Sequence, residues 1–226
     1  MARKTKEGAE ETRASILQAA LSLFSSRGVT GTTLTDVAQK AGVTRGAIYW
    51  HFDNKEDVLR ALRDEAVLPY QQLAESGLRM DEPDPLGKLQ VMLHRILSDV
   101  AENPATRQVF QIWLDRGKLG SEDRNEINTE EEKRRVEVIQ RTENILRNAV
   151  RKGQLAADFD VKLGAVAVFT FIDGMVMAML LAPASCNIKD DIIRITDAFF
   201  YMLRAGNNPY LTTAAKPEQL PCNGSV

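Results

Sequence analysis

The sequence predicts an all-α protein of about nine helices, a small N-terminal three-helix domain followed by a larger helical bundle. Apolar residues recur at helical spacing in every long segment, and none alternates as a half-buried strand would. Between Thr32 and Lys55 two short helical repeats stand one tight turn apart, the arrangement of a helix-turn-helix. The apolar run at 161–182 contains Lys162 and, near its centre, Asp173, and no second run of this kind accompanies it. Such a run fits a helix buried inside a bundle better than one that crosses a membrane.

Residues 1–8 form a basic arm suited to lie against phosphate. The first helix, about 9–27, carries Ile16, Ala20, Leu23 and Phe24 on one face and stops at Gly28. The second shows Leu34, Val37, Ala38 and Ala41 as its apolar face, with Thr33 as N-cap, Asp36 as the partner three positions on, and Gly42 as its end. Thr44 caps the third, Arg45 to about His51, in which Ile48 and Phe52 lie four apart and face inward. The core of this domain would be Ile16, Leu23, Phe24, Val29, Leu34, Val37, Val43, Ile48 and Phe52.

The outer face of the third helix holds Arg45 with Tyr49 and Gly46 with Trp50, each an i,i+4 pair. That face suits a major groove: Arg45 has the fork that reads guanine O6 and N7, and Gly46 lets the backbone approach the bases. Thr33, Thr44, Tyr49, Trp50 and His51 supply hydroxyl or N–H donors for phosphate oxygens, and Lys55, at the start of the next helix, a further phosphate contact. Each has a plainer alternative, Trp50 as core, His51 as a helix-end donor, Tyr49 as an amphipathic ring, Arg45 as a solvated charge. Their coincidence on one short helix behind a tight turn favours DNA.

Asn54, with Asp57 three residues on, starts a fourth helix extending towards Met80, with a kink or break expected near Leu68 because Pro69 has no N–H to donate. Asp84-Pro85 and Asn103-Pro104 each place proline in a first helical position. The charged stretch 121–135 reads as a solvated loop leading into a long surface helix that ends at Gly153. A last helix, about 189–205, lines one face with Ile192, Ile195, Phe199, Met202 and Leu203 and would pack on 161–182. The expected division is 1–54 as the DNA-binding domain with its motif at 33–52, 55–206 as a ligand-binding and dimerisation domain, and 207–226 as a flexible tail.

With 44% hydrophobic and 27% charged residues the composition is that of an ordinary globular protein, and the net charge of −2 argues against a general polyanion binder. The distribution is more informative. Residues 1–52 hold seven Lys and Arg against four acids, +3, which leaves −5 on the remainder. A basic head on an acidic body suits DNA binding at one end. Cys186 and Cys222 stand apart from any histidine cluster and no apolar leader opens the chain, so neither a zinc site nor a disulfide is expected, and a cytoplasmic location is. His51 and His94 are the two histidines, and no metal-ligand spacing, G-x-S-x-G or glycine-rich phosphate loop occurs. No cofactor and no catalytic residue is therefore expected.

MARKTK at 1–6, ETR at 11–13 and GVTRGAIYWHF at 42–52 resemble the tetracycline-repressor (TetR) family, and within it the AcrR-like branch of efflux-pump repressors, over about the first 60 residues. The resemblance implies a homodimer whose last two helices pack into a four-helix interface, a palindromic operator, a ligand cavity in the body, and control of a multidrug efflux operon. The chain departs from that branch at FQIWLDRG, residues 110–117. On helical faces alone, the cavity would be lined by Leu93, Phe110, Trp113, Ile139, Ile172 and Val176, with Gln111 and Asp173 as polar anchors, and would take a hydrophobic or cationic drug-like inducer. A structural ion pair or cap is the alternative for Asp173, and plain core for the apolar set. The contrasting functional class is a helical small-molecule-binding protein or enzyme with an incidental helix-turn-helix.

Overall fold

The helices begin where the sequence supplies caps. The computed structural model describes residues 6–118, 124–181, 188–205 and 211–212, and among them forms nine helices. These are α1 (Lys6–Arg27), α2 (Leu34–Ala41), α3 (Arg45–His51), α4 (Lys55–Leu78), α5 (Pro85–Glu102), α6 (Pro104–Lys118), α7 (Arg124–Arg151), α8 (Val161–Leu181) and α9 (Ile188–Arg204). Asn54 Oδ1 accepts from the Asp57 N–H at 3.0 Å, and Asp57 Oδ2 accepts from the Asn54 N–H at 3.3 Å. Asp84 caps α5 by accepting from the Gly87 N–H at 2.8 Å, and Asn103 caps α6 by accepting from the Ala105 N–H at 3.0 Å. These side chains satisfy amides that a helix start leaves without partners.

Packing divides the chain into two units. The first holds the residues up to Pro69 and those from Asp99 through α6; the second holds Tyr70–Ser98 and α7 to the end. In the first unit α1 packs on α2, α3 and α6, around a core that includes Ile16, Phe24, Val37, Ile48 and Val58. Val109 and Ile112, each 6% exposed, bring α6 into that core. The first part of α4 and all of α6 thus pack with the head, where the boundary expected at residue 54 put them with the body. In the second unit α8 packs on α7 and α9, around Leu89, Leu93, Leu146, Ala165, Val168 and Phe200. The Asn148 amide, on α7, donates to the Leu78 carbonyl at 3.1 Å and so caps the end of α4.

Several elements differ from expectation. Helix α4 continues through Pro69 without the break that was one of the two expected outcomes there. Of the charged stretch 121–135, residues from Arg124 on are helix rather than loop, in keeping with the high helical propensity of its Glu, Lys and Arg. Helix α1 begins at Lys6, inside the expected arm, whose residues 1–5 lie outside the described residues. The expected tail is anchored where it is described: the Asp160 N–H donates to the Leu211 carbonyl at 2.8 Å, Phe159 bridges to Thr212, and Leu211 packs against the core of the second unit. Cys186 and Cys222 lie outside the described residues.

Helix α8 is not buried all round. Its inner face is Gly164, Ala165, Val168, Val176, Met179 and Leu180, while Leu163 and Val166 are each 45% exposed. Lys162 and Asp173 also lie on the exposed side. On α9, Phe199 is partly buried and stacks on Phe171 of the same chain, centroids 4.1 Å apart and 6° between planes, whereas Tyr201 is 75% exposed. Phe199 is therefore an internal contact, and Tyr201 is the outward aromatic.

Candidate nucleic-acid interface

The candidate surface is built from two capped helices and the turn between them. Thr33 is extended, φ −105° and ψ 159°; its hydroxyl accepts from the Asp36 N–H at 3.2 Å while Asp36 Oδ2 accepts from the Thr33 N–H at 2.8 Å. The Thr33 hydroxyl also donates to Asp36 Oδ2, and this bond, with the backbone one, holds the Asp36 carboxyl below the usual carboxylate range. Gly42 stops α2 at φ 68°, a left-handed conformation that glycine adopts without steric penalty, and the following Val43 N–H donates to the Ala38 carbonyl at 3.0 Å. Thr44 then caps α3, its hydroxyl accepting from the Ala47 N–H at 3.1 Å.

Helix α3 is seven residues long, and Ile48, fully buried, is its one buried residue. Phe52, 5% exposed, closes it by donating its N–H to the Ile48 carbonyl at 2.9 Å. Arg13 of α1 holds this end from behind: its guanidinium lies 5.6 Å from the Phe52 ring centroid and pairs with Glu65 of α4. Sequence reading missed Arg13, because the contact joins three elements and has no period along the chain.

The opposite face is open. Arg45 and Gly46 are exposed, Tyr49 is 46% exposed and Trp50 73%. The Arg45 guanidinium lies 5.8 Å from the Tyr49 ring centroid, the i,i+4 pairing expected from sequence. The edge of the Trp50 ring meets His51, centroids 4.6 Å apart at 88°, which orients an otherwise uncovered indole. A side chain built at Gly46 would meet no atom within 4 Å, so the bare patch there is not required by packing in the free protein. Two of the expected donors are engaged within the chain: the Thr33 hydroxyl on Asp36, and the Lys55 ammonium, which donates to the carbonyls of Val29 at 2.7 Å and Thr32 at 3.1 Å.

The side chains assigned to a ligand lining do not all fall in one unit. Phe110, Gln111 and Trp113 belong to the first; Trp113 packs against its core under the Arg63 guanidinium, 4.6 Å from the ring centroid, and the Gln111 amide donates to Asp115 at 3.1 Å. Leu93, Ile139, Ile172, Asp173 and Val176 belong to the second. Leu93 is 1% exposed in its core, Ile139 and Ile172 pack against that core, and Val176 is 8% exposed. Asp173 lies on the exposed face of α8 rather than the inward one.

Comparison with known proteins gives this surface its context. Residues 16–62 match the model for bacterial regulatory proteins of the tetR family, and residues 84–205 match that for the C-terminal region of MAATS-type transcriptional repressors. A probable HTH-type transcriptional regulator of Pseudomonas putida, ArpR, is 39% identical over 204 residues, 90% of this chain and 97% of that protein. The HTH-type transcriptional regulator AcrR of Shigella flexneri is 32% identical over 191 residues, 84% of this chain and 88% of that one. Among solved structures, the SmeT–triclosan complex superposes with a TM-score of 0.74 at 29% identity, covering 83% of this chain and 90% of that one. SmeT is described as the repressor of the Stenotrophomonas maltophilia multidrug efflux pump SmeDEF. With a matching family model at each end and relatives similar over nearly their whole length, the chain belongs to the tetR family of bacterial transcriptional regulators.

Proposed function

We propose that this regulator is a repressor that binds a palindromic operator as a homodimer and leaves it when a small lipophilic ligand binds, and that the operon it controls encodes a multidrug efflux pump. The observation that carries the reading is the outer face of α3, where Arg45, Gly46, Tyr49 and Trp50 stand exposed on a fully capped helix-turn-helix. Efflux control and ligand release are supported by SmeT, an efflux-pump repressor solved with triclosan. Dimerisation is supported by the outward apolar side chains of α8 and α9, including Leu163, Val166, Ile193, Tyr201 and Met202. They stand on the outward sides of two helices that pack together, where a second copy would cover them. Leu93, Ile139, Ile172 and Val176 of the second unit are its apolar ligand contacts, which suits a hydrophobic drug-like inducer; with Asp173 on the exposed face, no carboxylate among them favours a cationic one. Such an inducer must bind the DNA-free conformation better than the DNA-bound one.

The direct test is a footprint on the DNA upstream of the protein's own gene, with candidate drugs added. A protected palindrome that drugs uncover supports the reading; no protection removes it. Arg45→Ala is expected to weaken operator binding by about 1–3 kcal/mol and relax preference at one base pair per half-site, since a bidentate guanine contact supplies that much discrimination. An unchanged ratio of operator to scrambled-DNA affinity would take Arg45 out of base reading. Gly46→Ala should leave the free protein as stable or more so, by up to about 1 kcal/mol, because alanine is the better helix former and the space is empty. Operator affinity should fall at the same time. Unimpaired binding by that variant would mean the backbone at Gly46 does not approach the bases.

A further inference from the structure

The turn that leads into α2 is closed by a residue from beyond α3. Gly31 lies so near the end of α1 that an added Cβ would be 2.6 Å from the Arg27 carbonyl oxygen. Thr32, 1% exposed, donates its hydroxyl to the Gly28 carbonyl at 2.9 Å. The two carbonyls that this tight turn leaves facing α4, those of Val29 and Thr32, accept from Lys55 Nζ at 2.7 and 3.1 Å. Thr32 immediately precedes Thr33, the N-cap of α2, and Lys55 is the first residue of α4, three beyond the Phe52 that ends α3. One ammonium therefore joins the entrance of the helix-turn-helix to its exit.

We propose that Lys55 is a positioning residue for operator reading: it sets the attitude at which α2 and α3 meet DNA by tying the two ends of the motif together, and it makes no phosphate contact of its own. Hydrogen bonds from a charged donor are stronger than neutral ones, and here two converge on carbonyls of a partly buried turn. Removing the ammonium frees the turn ahead of Thr33, so the recognition helix samples orientations in which Arg45 misses its base. Base reading demands a fixed register, whereas nonspecific binding rests on phosphate charge alone. The loss should fall on specificity.

The proposal rests on the operator-binding reading, and the two fail differently. Failure of that reading shows in the wild-type chain, which would not separate operator from scrambled DNA; failure of this one shows only in the difference between variant and wild type. Lys55→Met keeps an apolar stem of similar length without the donor. Measured well below its melting temperature, it is expected to bind operator about tenfold more weakly, a change of about 1.4 kcal/mol. Scrambled-DNA affinity and the slope of log K against log salt should stay as in wild type, and Lys55→Arg, which restores a cationic donor, should recover most of the operator affinity. A slope reduced by about 0.9, with both DNAs weakened alike, would make Lys55 a phosphate ligand and overturn the proposal. Unchanged operator affinity would overturn it as well. If Lys55→Met does not fold, the same readings are made on Lys55→Gln.

Discussion

The Tyr201→Glu chain is expected to keep its helix content, to run as a monomer at micromolar concentration, and to lose most of its operator affinity. Tyr201 is 75% exposed on α9, beside Met202 at 54%. Leu163 and Val166 of α8 and Ile193 of α9 are exposed in the same way. In a twofold interface the same patch serves both copies, so one substitution places two carboxylates in one apolar contact. A charge buried there without a partner costs several kcal/mol, enough to separate a dimer of moderate affinity. If each copy reads one half-site, as proposed, losing the dimer also removes the gain from simultaneous engagement, on the order of 100-fold or more. Light scattering decides the first point and operator titration the second. A dimer that survives Tyr201→Glu would place the contact on another face.

The neighbouring residue should fail in the opposite manner. Successive side chains on a helix point about 100° apart, and Phe200 is fully buried where Tyr201 is open. Its ring meets Phe199 edge-on, centroids 5.8 Å apart at 89°, and Phe199 in turn stacks on Phe171 of α8. Phe200→Ala would leave a cavity beside that stack and is expected to cost about 3–5 kcal/mol. For a chain of this size that corresponds to a fall of roughly 10 °C in melting temperature, followed by circular dichroism. The dimer should persist below the transition. A fall of under about 3 °C would show that α8 and α9 close over the space, and that Phe200 contributes far less than its burial suggests.

What the sequence made legible in this molecule is what is local. Thr33 with Asp36, Thr44, and Asn54 with Asp57 were readable as caps because each bonds amides a few residues away, and all of them do so; Asp84 and Asn103, readable as helix starts from the prolines after them, also cap. The inward set of the head was readable from helical spacing, with Val29 and Val43 packing at its margin rather than within it. Spacing alone could not tell that Lys55 would spend its ammonium on Val29 and Thr32, partners 26 and 23 residues back. Nor could it place α6, whose apolar face would suit either unit, with the head. On α8 the apolar residues run round the whole helix, so no period separates the side that meets α7 from the side left outward. Asp173 was assigned to the inward side for that reason, and only packing places it on the exposed one.

That α3 commits one buried side chain, Ile48, to the fold has an evolutionary consequence. Arg45, Gly46, Tyr49 and Trp50 are bound by no packing constraint that a substitution would violate, so, with α3 as the proposed reading helix, changes there would alter which DNA is read at little cost in stability. A duplicated gene could drift to a new operator through these positions alone, without passing through poorly folded intermediates. The same freedom makes them the natural set to randomise when selecting variants against a chosen promoter, with Ile48 and Phe52 held constant.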